Sequence, residues 1–494
     1  MITRRGFAVA AGALPFLTFV DIREAWAAIP NYIGAPDLTG LTKRVVNTAA
    51  AFSTELNKFG GMYSSATDYL ELAEGVTFPN DIEIKKNGTS AAPLWIVGKA
   101  SNGLNNFNNR WTFTGQVTIK GNWVGLTRLK FARPLATGTH SKTSAEASPC
   151  VVIDGFNGMQ FLRNRVIASK GVVIDGICQN LRLNYNEFSG RCPTNSGNGG
   201  ANDPVSQASI VIEVAAAGNT ATHKNIQIAR NHFWGGNVVT ETMALYIAPG
   251  NKGAEDPDNQ YTSLAPDTLE ASYNLFVSAR RRCIYSKHGG TFLANRMRFV
   301  ADQGAPGGVE NKPTVATAKV NNGINGFRGV EARYGKFLRC KFEGGASIEG
   351  QGSDQDWKWN DWSDSKPVNL YVYSSSVNVK DVGESHDFRF VGNEGGINFG
   401  EEKTGGDFMA NPSLGKVNSI AVKGHIAGAL KWSTGATIIP TPGEGTNFPA
   451  DPAGRTQSTT STACKWYDSA GEAAQTVVAV VESDVGPGAT GLTY

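Results

Sequence analysis

Short runs of β-branched and aromatic residues, broken by glycine and asparagine, fill the chain from about residue 94 to residue 440. Trp111–Ile119 and Gly171–Asp175 are typical of these runs. Short apolar runs bounded by turn residues indicate strands, and no long stretch here has a helical period. The pattern therefore predicts an all-β protein.

A recurring Asn-x-hydrophobic triplet orders these strands. Successive triplets begin 22, 45, 43, 21 and 45 residues apart, and we interpret these spacings as one or two coils of about 22 residues in a repeat fold. In a parallel β-helix each residue stacks on its counterpart in the previous coil at about 4.8 Å. Stacked asparagines can then hydrogen-bond to each other while the apolar residue fills the interior. The repeat thus predicts a right-handed parallel β-helix. The triplets are Asn164-Arg-Val166, Asn186-Glu-Phe188, Asn231-His-Phe233, Asn274-Leu-Phe276, Asn295-Arg-Met297 and, with cysteine in place of asparagine, Cys340-Lys-Phe342.

The two ends of the array differ from its middle. Apolar residues recur at helical intervals between Val45 and Phe59, which predicts a short helix that caps the first coil and protects its open strand edge. After Pro440 the chain is rich in Pro, Gly, Ser and Thr. We assign residues 28–440 to the β-helix and residues 441–494 to a tail that packs on the coils or is partly disordered.

The first 27 residues have the features of an export signal. Arg4-Arg5 precedes an apolar run from Ala8 to Val20 and the small-residue site Ala25-Trp26-Ala27. This pattern predicts a twin-arginine signal, with the export machinery as a partner of the precursor; an ordinary secretory signal is the alternative. Either reading predicts a periplasmic or secreted protein that begins near residue 28, and no later stretch is apolar enough to span a bilayer.

Charge and cysteine content narrow the function classes. The formal net charge of the 494 residues is +3, too small to indicate a nucleic-acid-binding protein. The six cysteines have no Cys-x-x-Cys spacing, so they match no metal motif, and we expect buried single thiols.

Several stretches resemble polysaccharide lyase family six, which includes alginate lyases and chondroitinase B. Val46–Phe52, Leu70–Gly75 and Gly88–Ile96 are similar to the opening of that family, and Ser483–Pro487 is similar to its C-terminus. The resemblance implies β-elimination on an acidic, uronate-containing polysaccharide, with alginate as the default substrate.

The more specific likeness lies in Asn274–Lys287 and Phe327–Gly329. It implies that Lys287 is the Brønsted base and that Arg328 is the second catalytic residue. Two family features are missing here: the calcium-binding glutamates are replaced by Arg280 and Arg282, and the histidine expected after the catalytic arginine is replaced by Gly329. Guanidinium groups cannot ligate a hard cation, so no metal or other cofactor is predicted.

The basic residues suggest how the site works without calcium. Arg280 or Arg282 would neutralise the substrate carboxylate, because a guanidinium binds a carboxylate through two hydrogen bonds. Neighbouring positive charge, including that of His288, would lower the pKa of Lys287 so that it can act as a base. Tyr285 is a second candidate for moving the proton, since a tyrosine hydroxyl can act as an acid. We also assign Arg333 to substrate binding, whereas Arg281 would point away from Arg280 and Arg282 on its strand.

Two other functions remain open. A β-helical glycoside hydrolase would need paired carboxylates, and the comparable acidic pairs, Glu255-Asp256 and Glu401-Glu402, fall in predicted loops. A non-catalytic carbohydrate-binding protein would keep the scaffold without the chemistry. A tryptophan-rich segment around residues 357–362 could stack on sugars, although we favour packing on its own coils.

Overall fold

A computed structural model shows the fold. It describes residues 32–101, 107–133, 148–155, 157–168, 170–190, 208–212, 223–235, 243–247, 269–278, 282–286, 292–301, 314–315, 328–332, 335–344, 347–350, 352–364, 368–372, 384–402, 416–418, 421–426, 428–432, 437, 446–447, 465–467 and 477–490. Internal contacts divide the chain into residues 1–33 and residues 34–494. The strands and the capping helix belong to the second unit.

The described strands wind through three sheets, which we name A, B and C in the order in which the chain visits them. All of their pairings are parallel except that of Thr446–Asn447 with Lys465–Tyr467. The prediction of a right-handed parallel β-helix is confirmed. Sheet A contains β1 (Thr42–Val46), β2 (Asp68–Leu72), β5 (Leu94–Gly98), β8 (Val124–Thr127), β11 (Gln160–Leu162), β14 (Gln179–Asn184), β17 (Lys224–Ala229), β20 (Leu269–Ser272), β23 (Phe292–Asn295), β26 (Gly335–Leu338), β29 (Gly352–Lys358), β32 (Glu384–Val391), β34 (Lys416–Asn418), β35 (Ala421–Lys423), β37 (Thr446–Asn447) and β38 (Lys465–Tyr467). Sheet B contains β3 (Thr77–Phe78), β6 (Thr112–Phe113), β9 (Lys130–Ala132), β12 (Arg165–Ile167), β15 (Glu187–Gly190), β18 (His232–Gly235), β21 (Leu275–Ser278), β24 (Arg298–Ala301), β27 (Lys341–Glu343) and β30 (Asp361–Asp364). Sheet C contains β4 (Ile82–Ile84), β7 (Val117–Ile119), β10 (Val151–Asp154), β13 (Val172–Asp175), β16 (Ala208–Ile212), β19 (Met243–Ile247), β22 (Arg282–Ser286), β25 (Arg328–Ala332), β28 (Ser347–Gly350), β31 (Val368–Val372), β33 (Ile397–Glu402) and β36 (Leu430–Trp432).

Apolar residues that point inward form one continuous core along the helix axis. The apolar residues of the triplets account for part of it. Phe188, Phe233, Phe276, Phe299 and Phe342 stack with centroid separations of 5.0, 4.7, 4.8 and 4.5 Å. Each ring lies directly above the ring of the previous coil because the strands that carry them pair in register.

The stacked asparagines form a buried hydrogen-bond ladder at the turn from sheet A to sheet B. The backbone N–H groups of Asn164, Asn186 and Asn231 donate to the Oδ1 atoms of Asn186, Asn231 and Asn274 at 2.9, 2.8 and 2.9 Å. The side-chain amides also donate to backbone carbonyls, for example Asn274 Nδ2 to Ile228 O at 2.8 Å. The ladder therefore satisfies polar backbone groups that the turns would leave buried without partners.

The fifth triplet was assigned to the wrong residue. The coil that follows Asn274 places Met297 in the ladder, and its Sδ accepts from Asn274 Nδ2 at 3.7 Å. Asn295 lies two residues earlier, at the end of β23, where it aligns with Ser272 in sheet A. The fifth triplet is therefore Met297-Arg-Phe299, and the Asn-x-hydrophobic pattern at Asn295 is coincidental.

The long spacings were also misread. Glu187 of β15 aligns directly with His232 of β18, so the 45 residues between these two positions make one coil with insertions. The interpretation as two coils was wrong, because strand pairing, and not residue count, defines a coil.

The ladder continues beyond the predicted triplets. Cys340 occupies it as expected, and its backbone N–H donates to Asn360 Oδ1 at 2.8 Å. Asn360 in turn donates from its backbone N–H to Asn393 Oδ1 at 2.9 Å. Asn360 and Asn393 were not predicted as members.

A short helix, α1 (Ala49–Asn57), covers the first coil as predicted. Thr48 is its N-cap and accepts from Ala51 N at 3.2 Å. Phe52 and Leu56 are buried against the core. The helix starts later than expected, because Val45 and Val46 belong to β1.

The three tryptophans near residue 360 pack on their own coils, and they lie in β29, in β30 and at the turn between them, not in a loop. Trp357 is buried and stacks on Phe337 with a centroid distance of 3.9 Å. Trp362 is buried and donates from Nε1 to Gly396 O at 2.8 Å. This packing leaves neither ring exposed to a ligand.

Residues 477–490 of the predicted tail lie against the middle coils. Arg230 O accepts from Gly486 N at 2.8 Å, and Arg298 Nη1 donates to Val480 O at 2.9 Å. Glu482 accepts through Oε1 from the backbone N–H of Val315. This segment, which contains the short 3₁₀ helix Glu482–Asp484, thus ties together coils that are far apart in sequence.

Four cysteines are free thiols within the coils, as expected: Cys150, Cys178, Cys283 and Cys340. Cys192 and Cys464 lie outside the described residues. Within the part of the chain that the structure describes, no helix has the length and apolar character needed to cross a membrane.

Candidate functional site

The region singled out by the sequence is the part of sheet C formed by β19, β22 and β25. These strands are direct neighbours, with backbones about 4.8 Å apart. At their first residues the register aligns Met243, Arg282 and Arg328. At their last residues it aligns Ile247, Ser286 and Ala332.

This register brings Arg282 and Arg328 to adjacent positions. For both residues the structure describes the backbone only. Arginine suits a carboxylate ligand and cannot ligate a divalent cation. The absence of calcium at this site stays a prediction, because Arg280 and the side chain of Arg282 lie outside what the structure describes.

The same register does not align Arg328 with the end of β22. Ser286, which immediately precedes Lys287, lies level with Ala332, four residues beyond Arg328 and roughly 13 Å further along the strand. Lys287 and Arg333 are the residues that follow Ser286 and Ala332 in the sequence. The predicted pairing of Lys287 with Arg328 is not tested by the described residues.

Tyr285 lies on the outer face of sheet C and is 7% exposed. Its ring stacks on Tyr246 with a centroid distance of 5.4 Å, beside Val173 and Val211. The ring therefore belongs to a small apolar cluster outside the coil. The ring is almost fully buried, whereas the acid role that we predicted for Tyr285 needs access to the substrate.

The strand position of Tyr285 aligns with a glutamate in each of the next two coils. Tyr285 aligns with Glu331 of β25, and Glu331 aligns with Glu349 of β28. Sequence analysis missed this juxtaposition because the two glutamates lie 18 residues apart, and only strand pairing brings them to adjacent positions. For both glutamates the structure describes the backbone only.

Arg280, Lys287, His288 and Arg333 lie outside the described residues. Among the residues that are described, no group of three or more His, Cys, Asp or Glu side chains could hold a metal ion.

His223 and His232 are both buried. His223 Nδ1 accepts from Cys178 N at 3.2 Å. This histidine therefore supports a turn inside the coil.

Comparison with known proteins gives a likeness in structure only. No protein-family model matches the chain, and no curated protein is similar to it in sequence. The structure is similar to that of a mannuronic-acid-specific family six polysaccharide lyase from the human gut microbiota, with a TM-score of 0.50 and 13% identity over 79% of this chain and 82% of that chain. It is also similar to a family six polysaccharide lyase from Pseudopedobacter saltans, with a TM-score of 0.50 and 12% identity over 91% of this chain and 96% of that chain.

Both comparisons extend over most of each chain, so the likeness concerns the whole solenoid and not a local motif. Together with the coil order and the ladder, they show that this protein has the right-handed parallel β-helix fold of the family six polysaccharide lyases.

Proposed function

We propose that this protein is a polysaccharide lyase that cleaves a uronate-containing polymer by β-elimination, with alginate as the first substrate to test. The observation that carries the proposal is the alignment of Arg282 with Arg328 on the strands that lead to Lys287 and Arg333. Elimination next to a carboxylate needs a base and positive charge that stabilises the carboxylate as the proton leaves, and a lysine near arginines can supply both.

In the proposed reaction, neutral Lys287 removes the proton from C5 of a uronate residue. The electron pair forms the C4–C5 double bond, and the C4–oxygen bond to the neighbouring sugar breaks. The leaving oxygen takes a proton and becomes the hydroxyl of a new chain end. Arginine stabilises the charge that builds on the carboxylate during proton removal, without calcium.

Two arginines are candidates for the second catalytic role. The family resemblance points to Arg328, whereas the strand register favours Arg333, which follows the residue aligned with Ser286. Arg282 and Arg328 would then bind carboxylates of neighbouring sugar units. Arg280, His288 and Tyr285 remain secondary substrate-binding candidates.

The test follows the ultraviolet absorbance of unsaturated uronate on alginate, chondroitin and dermatan sulfate. We expect Lys287→Ala to abolish the signal. Of Arg328→Ala and Arg333→Ala, the variant that lowers kcat identifies the second catalytic arginine, and the other variant should raise KM. Lys85→Ala is the matched control, because Lys85 is an exposed lysine of the same β-helix that lies far in sequence from Lys287. A chelator should leave the rate unchanged.

Other outcomes would replace this proposal. New reducing ends without absorbance would indicate hydrolysis, in which case Glu331→Gln and Glu349→Gln become the decisive variants, because neighbouring carboxylates are the groups that hydrolysis uses. Polymer binding without any product would indicate a carbohydrate-binding protein. A strict calcium requirement would contradict the role given to Arg282.

We also propose that the protein is exported through the twin-arginine route, since an acidic polysaccharide is met outside the cytoplasm. Fusion of residues 1–27 to a reporter tests this. Replacement of Arg4 and Arg5 by lysine should block export, and export that continues unchanged would favour an ordinary secretory signal.

A further inference from the structure

A second asparagine ladder runs along a different edge of the helix, at the turn from sheet C to sheet A. Asn122 N donates to Asn87 Oδ1 at 2.7 Å, and Asn157 N donates to Asn122 Oδ1 at 3.0 Å. The ladder continues through Nδ2 of Asn180 to Asn157 Oδ1 at 2.8 Å and Nδ2 of Asn225 to Asn180 Oδ1 at 2.7 Å. Unlike the ladder at the other turn, none of these five residues is buried.

Trp123 stands out on this edge because of its backbone conformation. The strand registers align it with Gly158, Asn180 and Asn225 in the next three coils. All four positions have positive φ, with 54° at Trp123, 78° at Gly158, and 54° at each asparagine. Glycine and asparagine adopt this conformation readily, whereas a bulky residue there is strained.

The neighbouring coil makes room for this tryptophan. A Cβ atom at Gly158 would lie 2.1 to 2.6 Å from ring atoms of Trp123. The ring therefore rests directly on a position that must lack a side chain. Positive φ at a bulky turn residue is not confined to Trp123, because Trp359 also has a φ of 54° and lies against a glycine, Gly392. The exposure and the surroundings of the Trp123 ring therefore decide what it can do.

Two other tryptophans show what a purely structural ring looks like in this fold. Trp95 also lies over a glycine, Gly125, and is 4% exposed. Trp359 has a φ of 54°, is 9% exposed and lies 4.9 Å from the guanidinium of Arg339. Trp123 differs from both, since it is only partly buried and no ring or cation of the described residues stacks on it.

Two asparagines with amide donors are neighbours of this position in the chain and in the strand register, because Asn122 precedes Trp123 and Asn157 precedes Gly158. In the described part of the chain, Asn122 and Asn157 use their Oδ1 atoms within the ladder, and their Nδ2 groups make no hydrogen bond to the protein. A flat aromatic surface beside free amide donors is the combination that binds a sugar ring, with stacking on one side and hydroxyl or carboxylate contacts on the other.

This edge also leads to the proposed catalytic residues. Lys287 stands in the segment between β22 of sheet C and β23 of sheet A, at the same kind of turn. Five strand steps in sheet A separate β8, which follows Trp123, from β23. At about 4.8 Å per step, the two positions are roughly 24 Å apart along the helix axis.

We propose that Trp123, Asn122 and Asn157 form a remote binding site for the polysaccharide, in which a sugar unit several residues from the cleaved bond stacks on the indole ring. The proposal rests on the proposed lyase function for the identity of the polymer. It adds that long chains are held along the edge between sheets C and A, whereas short oligosaccharides contact the catalytic region alone.

Electrostatics distinguishes this site from the arginine-rich one. The nearby Lys120 is already paired, with its Nζ 2.8 Å from Glu83 and 3.8 Å from Asp154. This lysine therefore adds no unpaired positive charge to the remote site. The contribution of the site to polysaccharide binding should depend little on salt. Attraction by the arginines should weaken as salt rises.

The experiment uses Trp123→Gly, which removes the ring and places at this position the residue best suited to positive φ, so the fold is retained. Asn157→Asp is the second variant, because it keeps the Oδ1 acceptor for Asn180 but replaces the free donor with a negative charge. Lys85→Ala, on neighbouring coils, is the control. Gel retardation by alginate measures binding, and unsaturated-uronate release is followed on long alginate and on alginate tetrasaccharide.

We expect Trp123→Gly to weaken retardation about fivefold, in the range of one aromatic contact. KM for long alginate should rise by a similar factor, with kcat and the tetrasaccharide rate unchanged, and the factor should be the same at low and high salt. Equal loss on polymer and tetrasaccharide, or no loss on either, would overturn the remote site while leaving the lyase intact. Absence of both retardation and product with the unaltered protein would overturn the lyase proposal together with the remote site.

Discussion

Replacement of Asn231 by alanine measures how much the buried ladder stabilises the fold. Asn231 Nδ2 donates to Leu183 O at 2.7 Å and to Asn274 Oδ1 at 3.0 Å. Its Oδ1 accepts from the backbone N–H of Asn186 at 2.8 Å and from Asn186 Nδ2 at 3.1 Å. The substitution removes a contact from four buried groups, namely Leu183 O, Asn274 Oδ1 and the two donors of Asn186. Of these, Asn274 Oδ1 keeps the backbone N–H of residue 231, and Asn186 Nδ2 keeps Phe161 O.

The cost follows from these lost partners. A buried polar group without a partner costs about 1–3 kcal/mol, and partial relaxation reduces the sum, so we expect the free energy of unfolding to fall by about 3–5 kcal/mol. The Phe stack next to the ladder is unchanged, which leaves hydrogen bonding as the main cause.

Asn295→Ala is the matched control. Asn295 is as buried as Asn231, but its Oδ1 has no hydrogen-bond partner in the described part of the chain. Its replacement should therefore cost less than about 1 kcal/mol. Urea unfolding followed by tryptophan fluorescence gives the free energy of unfolding of both variants. The dependence of this free energy on urea concentration is compared as well, since a long repeat can unfold in steps. Equal costs for the two variants, or a cost below about 1 kcal/mol for Asn231→Ala, would refute the ladder argument.

Three further predictions concern charges and thiols. Glu343→Gln should destabilise the protein by about 3 kcal/mol, because Arg298, 2.5 Å from Glu343, would keep its largely covered guanidinium without a counter-charge. Thermal unfolding of this variant against Glu343→Gln/Arg298→Met checks this, since the double variant should recover part of the loss. Hydrogen bonds from Lys120 and then Lys85 lower the pKa of Glu83 to about 2. Its contribution to stability is therefore complete above its unfolded pKa and is lost as the pH falls from there through about 2. An NMR titration of its carboxyl carbon checks this, and Lys120→Met should raise the midpoint. Burial raises the pKa of the Cys340 thiol to about 12, so alkylation at pH 8 should require unfolding, which mass spectrometry of labelled peptides can show.

Much of the fold could be read from the sequence because the interior of a β-helix repeats. Phe188, Phe233 and Phe276 recur at the same place in each coil, and so do the asparagines beside them. The triplet pattern gave a wrong assignment where two sets of residues matched it equally well. Asn295-Arg-Met297 satisfies the triplet as well as Met297-Arg-Phe299 does, and only the pairing of β21 with β24 decides between them.

The candidate site was less predictable than the fold. The basic residues stand out in the sequence, but which of them face each other depends on strand register across insertions of variable length. Arg282 lies beside Arg328 because β22 pairs with β25, although 46 residues separate them in the sequence. Trp123 gave no sequence signal, since nothing in its neighbourhood shows that it aligns with Gly158.

The sequence by itself determined the coil: alternating apolar residues and turn asparagines specify strands that can only bury their inner face by stacking on copies of themselves. It also determined which residue types are available for chemistry, and in particular that arginines replace carboxylates where the family resemblance implies calcium. Only the tertiary structure decided the register between coils, and with it the neighbours of Arg282, Tyr285 and Trp123. The physical reason is that insertions at the turns change residue spacing freely, whereas backbone hydrogen bonds between strands align positions regardless of how many residues lie between them.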